Sequence, residues 1–146
     1  MKNLTAFLLI MFLLCVTLYA LWPENDFSSD DNPILNQLRE NLGKIHPDYK
    51  KIPLRENDSG AYTQNKRVIY LCLKDPKTGQ YYDMNTLTYI SLHELSHVLN
   101  PSYEPEFDGH GEGFKRIFSS VLRHASNVGI YDPNKPLPTD YCGSDK

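Results

Sequence analysis

The chain has 146 residues and a formal net charge of −3, with 15 Lys and Arg against 18 Asp and Glu. That balance lacks the basic footprint required for binding nucleic-acid phosphates, so no nucleic-acid partner is expected. Past its apolar first 23 residues, the remaining length suits one domain with one modest core.

From Leu4 to Trp22 the sequence reads LTAFLLIMFLLCVTLYALW, polar only at two threonines. As a helix it would reach roughly 28 Å, just enough for a hydrocarbon core of about 30 Å. The run predicts a transmembrane signal-anchor over residues 1–23. A cleaved signal peptide, giving a secreted form, is the rival reading. It fits less well because a usual apolar region is about 7–15 residues long and the triplet Leu18-Tyr19-Ala20 lacks a small first residue. Lys2 precedes the span and Glu24, Asp26, Asp30 and Asp31 follow it. This arrangement predicts a single-pass protein with a cytoplasmic N-terminus and a lumenal or extracellular domain. Cys72 and Cys142 are then candidates for a disulfide in an oxidising compartment, although Cys72 reads equally well as a small core residue.

Residues 24–32 are polar and acidic and lie between Pro23 and Pro33, and they read as a linker. The domain is expected over 33–146. Asp31 or Asn32 supplies an N-cap and Pro33 a first turn, and Ile34, Leu35, Leu38, Leu42 and Ile45 predict an amphipathic helix over 33–45. Ile52 to Glu56 is a short strand candidate, and Asn57 to Gly60 a turn. Arg67 to Lys74 (RVIYLCLK) is the strongest strand signal, apolar on both faces and so expected to be covered on both. After a second turn (DPKTGQ, 75–80), Asp83 or Asn85 caps a helix running to about Leu99, where Asn100-Pro101 stops it. Phe114, Ile117, Phe118, Val121, Leu122, Ala125 and Val128 predict another helix. The tail from Asp132, with Pro133, Pro136 and Pro138, reads as extended and irregular.

The chemistry lies in His93-Glu94-Leu95-Ser96-His97. On a wheel at about 100° per residue with His93 at zero, His97 falls at roughly 40° and Glu94 at roughly 100°. Leu87, Leu92, Leu95, Val98 and Leu99 fill the opposite arc. One face therefore builds a core while the other presents two imidazoles one turn apart, the spacing at which both can reach one zinc ion. A catalytic zinc site usually has three protein ligands. The metzincin pattern would place its Gly and third His at positions that are Asn100 and Tyr103 in this chain, which excludes that branch. His110 is the next histidine, in Asp108-Gly109-His110-Gly111-Glu112-Gly113-Phe114. Asp108, Glu104, Glu106 and Glu112 remain alternative donors.

HELSH followed by HGEGF and an amphipathic helix resembles the compact zinc peptidases of the WLM and SprT (Spartan-like) group over about residues 65–131. The resemblance implies a zincin-like α+β fold with a small sheet packed on the HExxH helix. It also implies His93, His97 and His110 as ligands of one zinc ion, and Glu94 as the catalytic acid/base. The expected function is a zinc metalloendopeptidase acting on protein or peptide substrates, with Glu94 taking a proton from water and passing it to the leaving amine. Soluble relatives in this group act on proteins joined to DNA or carry nucleic-acid-binding and partner-binding tails, so the DNA-repair context does not transfer to this acidic chain. Asp108 is a candidate partner for orienting a ligand ring, and Tyr103 or Tyr89 for stabilising an oxyanion. His46 and His124 read as an ordinary helix-end and an exposed histidine. The rival from another class is a non-catalytic, zinc-stabilised binding module tethered to a membrane, in which Glu94 would be dispensable.

Overall fold

The computed structural model describes residues 2–20, 32–102 and 107–145. Among the described side chains of the first helix, α1 (Lys2–Ala20), none joins the core. Among the described residues, no helix is long and apolar enough to cross a membrane. This corrects the expected transmembrane anchor and, with it, the single-pass placement. The helix opens on Lys2 and Asn3, and within the described residues its apolar part, Leu4 to Ala20, would span about 25 Å, short of a hydrocarbon core of about 30 Å. The linker expected over 24–32 lies outside the described residues, apart from Asn32.

The remainder is a small α+β domain. Asn32 caps α2 (Pro33–Ile45), its Oδ1 accepting the Ile34 N–H at 2.9 Å while Pro33 occupies the first turn. Leu35, Leu38 and Leu42 recur at helical spacing and are buried. A 3-10 turn (Pro47–Lys51) leads into β1 (Leu54–Glu56), and β2 (Tyr62–Gln64) and β3 (Val68–Leu71) follow. The sheet order is β1-β3-β2, with β1 parallel and β2 antiparallel to β3, so β3 is central and β2 is an outer strand.

The turn from β2 to β3 holds Asn65 and Lys66 at φ of 52° and 55°, the positive values that match a hairpin turn to strand twist. Arg67 N–H closes that turn on Gln64 O at 3.0 Å. Burial along β3 alternates: Ile69 and Leu71 are fully buried, whereas Val68 and Tyr70 are half-buried. The expectation of cover on both faces therefore holds for one. On the other face Tyr70 stacks on Tyr62, with centroids 4.6 Å apart.

The third helix, α3 (Met84–Leu99), lies at the centre of the domain, packing against β2, β3, α2 and α4 (Glu112–Asn127). Leu87, Leu92 and Leu95 on α3 meet Leu35, Leu38, Ile69, Leu71, Val121 and Ala125 in one core. Each leucine removed from water contributes roughly 1.5–3 kcal/mol. The tail is more ordered than its prolines suggest, ending in a short hairpin of β4 (Asp140–Tyr141) and β5 (Ser144–Asp145). A disulfide, Cys72–Cys142, fastens it to the end of β3 with Cα atoms 6.0 Å apart.

Candidate metal centre

Asp83 starts the helix that carries the site. Its Oδ1 accepts the N–H groups of Asn85 (3.0 Å) and Thr86 (3.1 Å), and its Oδ2 accepts the Thr86 hydroxyl at 2.6 Å. Burial raises the Asp83 carboxyl, but the Thr86 and Asn85 hydrogen bonds outweigh it and hold the group below its ordinary value of 3.8. Further along, the buried hydroxyls of Ser91 and Ser96 donate back to Leu87 O and Leu92 O, each at 2.7 Å. Two polar residues thus sit inside the packed helix without orphaned donors.

His93 and His97 project from the opposite face, and the loop before α4 delivers His110. That loop turns through Asp108 (φ 50°) and Gly109 (φ 75°), and His110 N–H donates to Phe107 O at 2.8 Å. Two successive left-handed residues reverse the chain, and this brings His110 back over α3. His110 Nε2 lies 3.1 Å from His93 Nε2 and 3.2 Å from His97 Nε2. Three histidines, His93, His97 and His110, therefore lie close enough to bind one metal ion.

The spacing has a chemical meaning. Imidazole nitrogens bound at about 2.0–2.1 Å in a tetrahedral site stand about 3.3 Å apart, close to the separations found. One His110 Nε2 proton can serve only one neighbour, so three converging nitrogens leave lone pairs facing one another unless a cation sits between them. The cluster is also walled: Phe114, on the first turn of α4, packs on His93, His97 and His110 with centroids 5.0, 4.4 and 4.7 Å away. Phe118, one turn later, meets the His93 ring at 5.3 Å.

Glu94 is only 5% exposed and is not a member of the histidine group. Thr63 on β2 reaches it, with Oγ1 3.0 Å from Glu94 Oε2 and 2.9 Å from Glu94 O. Nothing in the sequence marks Thr63, because Tyr62–Gln64 is too short and too polar to register as a strand. Its position becomes meaningful only once β2 lies beside α3.

The other singled-out residues are placed as follows. Asp108 is exposed at the rim of a cavity of about 470 Å³ beside the histidines. Glu112 is exposed and pairs with Lys115. Tyr103, Glu104 and Glu106 lie outside the described residues. Tyr89 stands one turn before His93 and packs on Phe118 and Tyr131. His46 caps the 3-10 turn by accepting Asp48 N–H, and His124 is exposed on α4.

With this geometry in view, the comparisons with known proteins are informative about relatedness only. The chain is 43% identical over 96 residues to an uncharacterized protein of Invertebrate iridescent virus 6, covering 64% of this chain and 51% of that protein. It is 42% identical over 85 residues to one of Invertebrate iridescent virus 3, covering 58% and 50%. It is 36% identical over 123 residues to one of Acanthamoeba polyphaga mimivirus, covering 73% and 60%. The chain therefore spans about half the length of the first two viral proteins. No family model matches it, and no solved structure does.

Proposed function

We propose that this protein is a zinc-dependent metalloendopeptidase of the WLM/SprT-like kind. The observation that carries the reading is the convergence of three imidazole nitrogens, 3.1 and 3.2 Å apart, beside a buried carboxylate that is not itself part of the cluster. A donor set of three neutral imidazoles suits zinc, as does the tetrahedral spacing. When bound there, zinc would supply Lewis acidity, polarising a carbonyl and lowering the pKa of a water from about 15.7 toward 7.

The remaining steps fall to the chain. Glu94 is the one carboxylate of the HExxH segment, and it is held by Thr63 next to the histidines. It accepts the proton of the attacking water and returns it to the departing amine. The strand β2 is an outer strand of its sheet, and Ala61, Tyr62 and Thr63 line the cavity that also holds His93, Glu94 and His97. An extended peptide aligned with β2 would pair through main-chain groups, which favours broad sequence tolerance.

The test compares the zinc-loaded full chain with Glu94→Gln on unfolded casein, with metal content measured by mass spectrometry. One zinc per chain in both proteins, with cleavage by the wild type only, is the expected result. Zinc in both and cleavage by neither would favour a zinc-stabilised binding module.

A further inference from the structure

A second cavity, of about 440 Å³, opens on the other side of His93 and Glu94. Its floor is one stripe of α3, where Thr86, Tyr89, Ile90 and His93 recur at the three-and-four spacing of a helix face. Ala61, just before β2, forms a second side. The third comes from the end of the chain, where Leu137, Pro138 and Tyr141 close over the stripe.

This third wall does not rest on packing alone. The Cys72–Cys142 bond pins it, the Tyr141 hydroxyl donates to Cys72 O at 2.7 Å, and Cys142 N–H donates to the Tyr82 hydroxyl at 2.8 Å. Burial holds the Tyr141 phenol well above the ordinary tyrosine range, so that hydroxyl keeps its proton and its bond at all physiological pH values. Among the described residues the lining contains no Lys or Arg, and its one carboxylate is Glu94. An acidic side chain would meet that carboxylate with no Lys or Arg beside it among the described lining residues, whereas an apolar one meets Ala61, Ile90, Leu137, Pro138 and two tyrosine rings.

We propose that this cavity receives an apolar side chain of a peptide, at the residue next to the bond being cut. We further propose that the disulfide-held segment Leu137–Tyr141 determines which side chains fit. The proposal rests on the peptidase reading for the words "next to the bond being cut"; the pocket's preference for apolar side chains can be measured without any cleavage. A dithiol reductant would break the Cys72–Cys142 bond, two electrons and two protons passing from the dithiol to give two cysteine thiols while the reductant closes into a cyclic disulfide. The wall would then lose its covalent anchor, and the pocket its selectivity.

The experiment titrates the zinc-loaded full chain with N-acetyl-leucinamide and with N-acetyl-aspartate amide, following Tyr89 and Ile90 by NMR. The leucine probe is expected to bind at least about ten-fold more tightly, and Ile90→Trp, which fills the floor, to weaken it at least about ten-fold. Leu137→Ala, with the disulfide intact, is expected to shift preference from the leucine probe toward N-acetyl-tryptophanamide by about three-fold or more. Reduction by dithiothreitol should lower the leucine-to-aspartate ratio about five-fold. Because reduction can disturb the fold, Leu137→Ala carries the claim about the wall independently.

Equal binding of the two amides, or a leucine response unaffected by Ile90→Trp, would overturn the pocket. Unchanged selectivity in both Leu137→Ala and the reduced protein would overturn the role of the wall. Discrimination between the amides without cleavage of casein would sink the peptidase reading while supporting the pocket.

Discussion

The hydroxyl of Thr63 stands 3.0 Å from Oε2 of Glu94 and 2.9 Å from the same residue's main-chain oxygen. One proton is shared between two acceptors, so β2 is tied at one point both to the backbone of α3 and to the carboxylate proposed as acid/base. A hydrogen bond to a charged group is worth about 1.5–3 kcal/mol, and about 1.4 kcal/mol is ten-fold in rate. Thr63→Val is therefore expected to lower kcat about ten-fold or more with KM little changed, while Thr63→Ser keeps most of the rate. Steady-state kinetics on a fluorogenic peptide checks it, and an equal loss in both variants would mean that Thr63 matters only for packing.

Removing metal should destabilise the domain, because the three-histidine arrangement exists only in the folded chain. Free zinc at about a thousand times Kd adds about 4 kcal/mol of stability. A chelator such as EDTA should lower Tm by several degrees, and zinc should restore it. His110→Ala should weaken zinc affinity by more than about 100-fold, the upper range for losing a group that only supports a ligand. Competition with a chromophoric chelator measures it; unaltered affinity would remove His110 from the site.

Asp83 links acid stability to the metal helix. Its folded pKa lies below the ordinary 3.8, so its contribution is fully present above the unfolded value and is lost as pH falls through the folded one. Asp83→Ala should cost about 1 kcal/mol at pH 7, as for other helix N-caps. The cost should shrink as pH drops below about 3.9, and urea unfolding at pH 7 and pH 3 reads the difference.

Thr88 is fully buried, and its hydroxyl has no hydrogen-bond partner. A buried unsatisfied hydroxyl costs about 1–3 kcal/mol, and valine has nearly the same shape. Thr88→Val is expected to raise unfolding stability by about 1 kcal/mol, measured by chemical denaturation. A loss of stability would show that the hydroxyl is satisfied in solution.

The helices were legible because each carries its own punctuation and period. Asn32-Pro33 opens α2, Asp83 opens α3, and leucines at three-and-four spacing mark the buried face of each. The histidine pair could be placed on the face opposite Leu87, Leu92 and Leu95 from angles alone. His110 was harder, since its return depends on two left-handed residues, Asp108 and Gly109, that no periodicity announces. Thr63 was invisible because a three-residue polar strand has no hydrophobic pattern and takes its meaning from a neighbour distant in sequence. The Cys72–Cys142 bond was only one of two readings, because spacing does not fix a pairing. The anchor over 1–23 was read from the hydrophobicity, length and flanking charges of Leu4–Trp22, whereas among the described residues no helix is long and apolar enough to cross a membrane.

Besides its packing in the core, the hairpin of β2 and β3 is hydrogen-bonded to α3 at Glu94 through Thr63 and to the residue just past the helix end through Lys66, whose Nζ donates to Asn100 O at 2.6 Å. The strand and the helix that border the cleft are thus fastened together near the middle and at the end of α3, so its width is set before any ligand arrives. Little backbone freedom remains to be lost on association, and a bound chain would spend its contacts on affinity instead of on ordering its receptor.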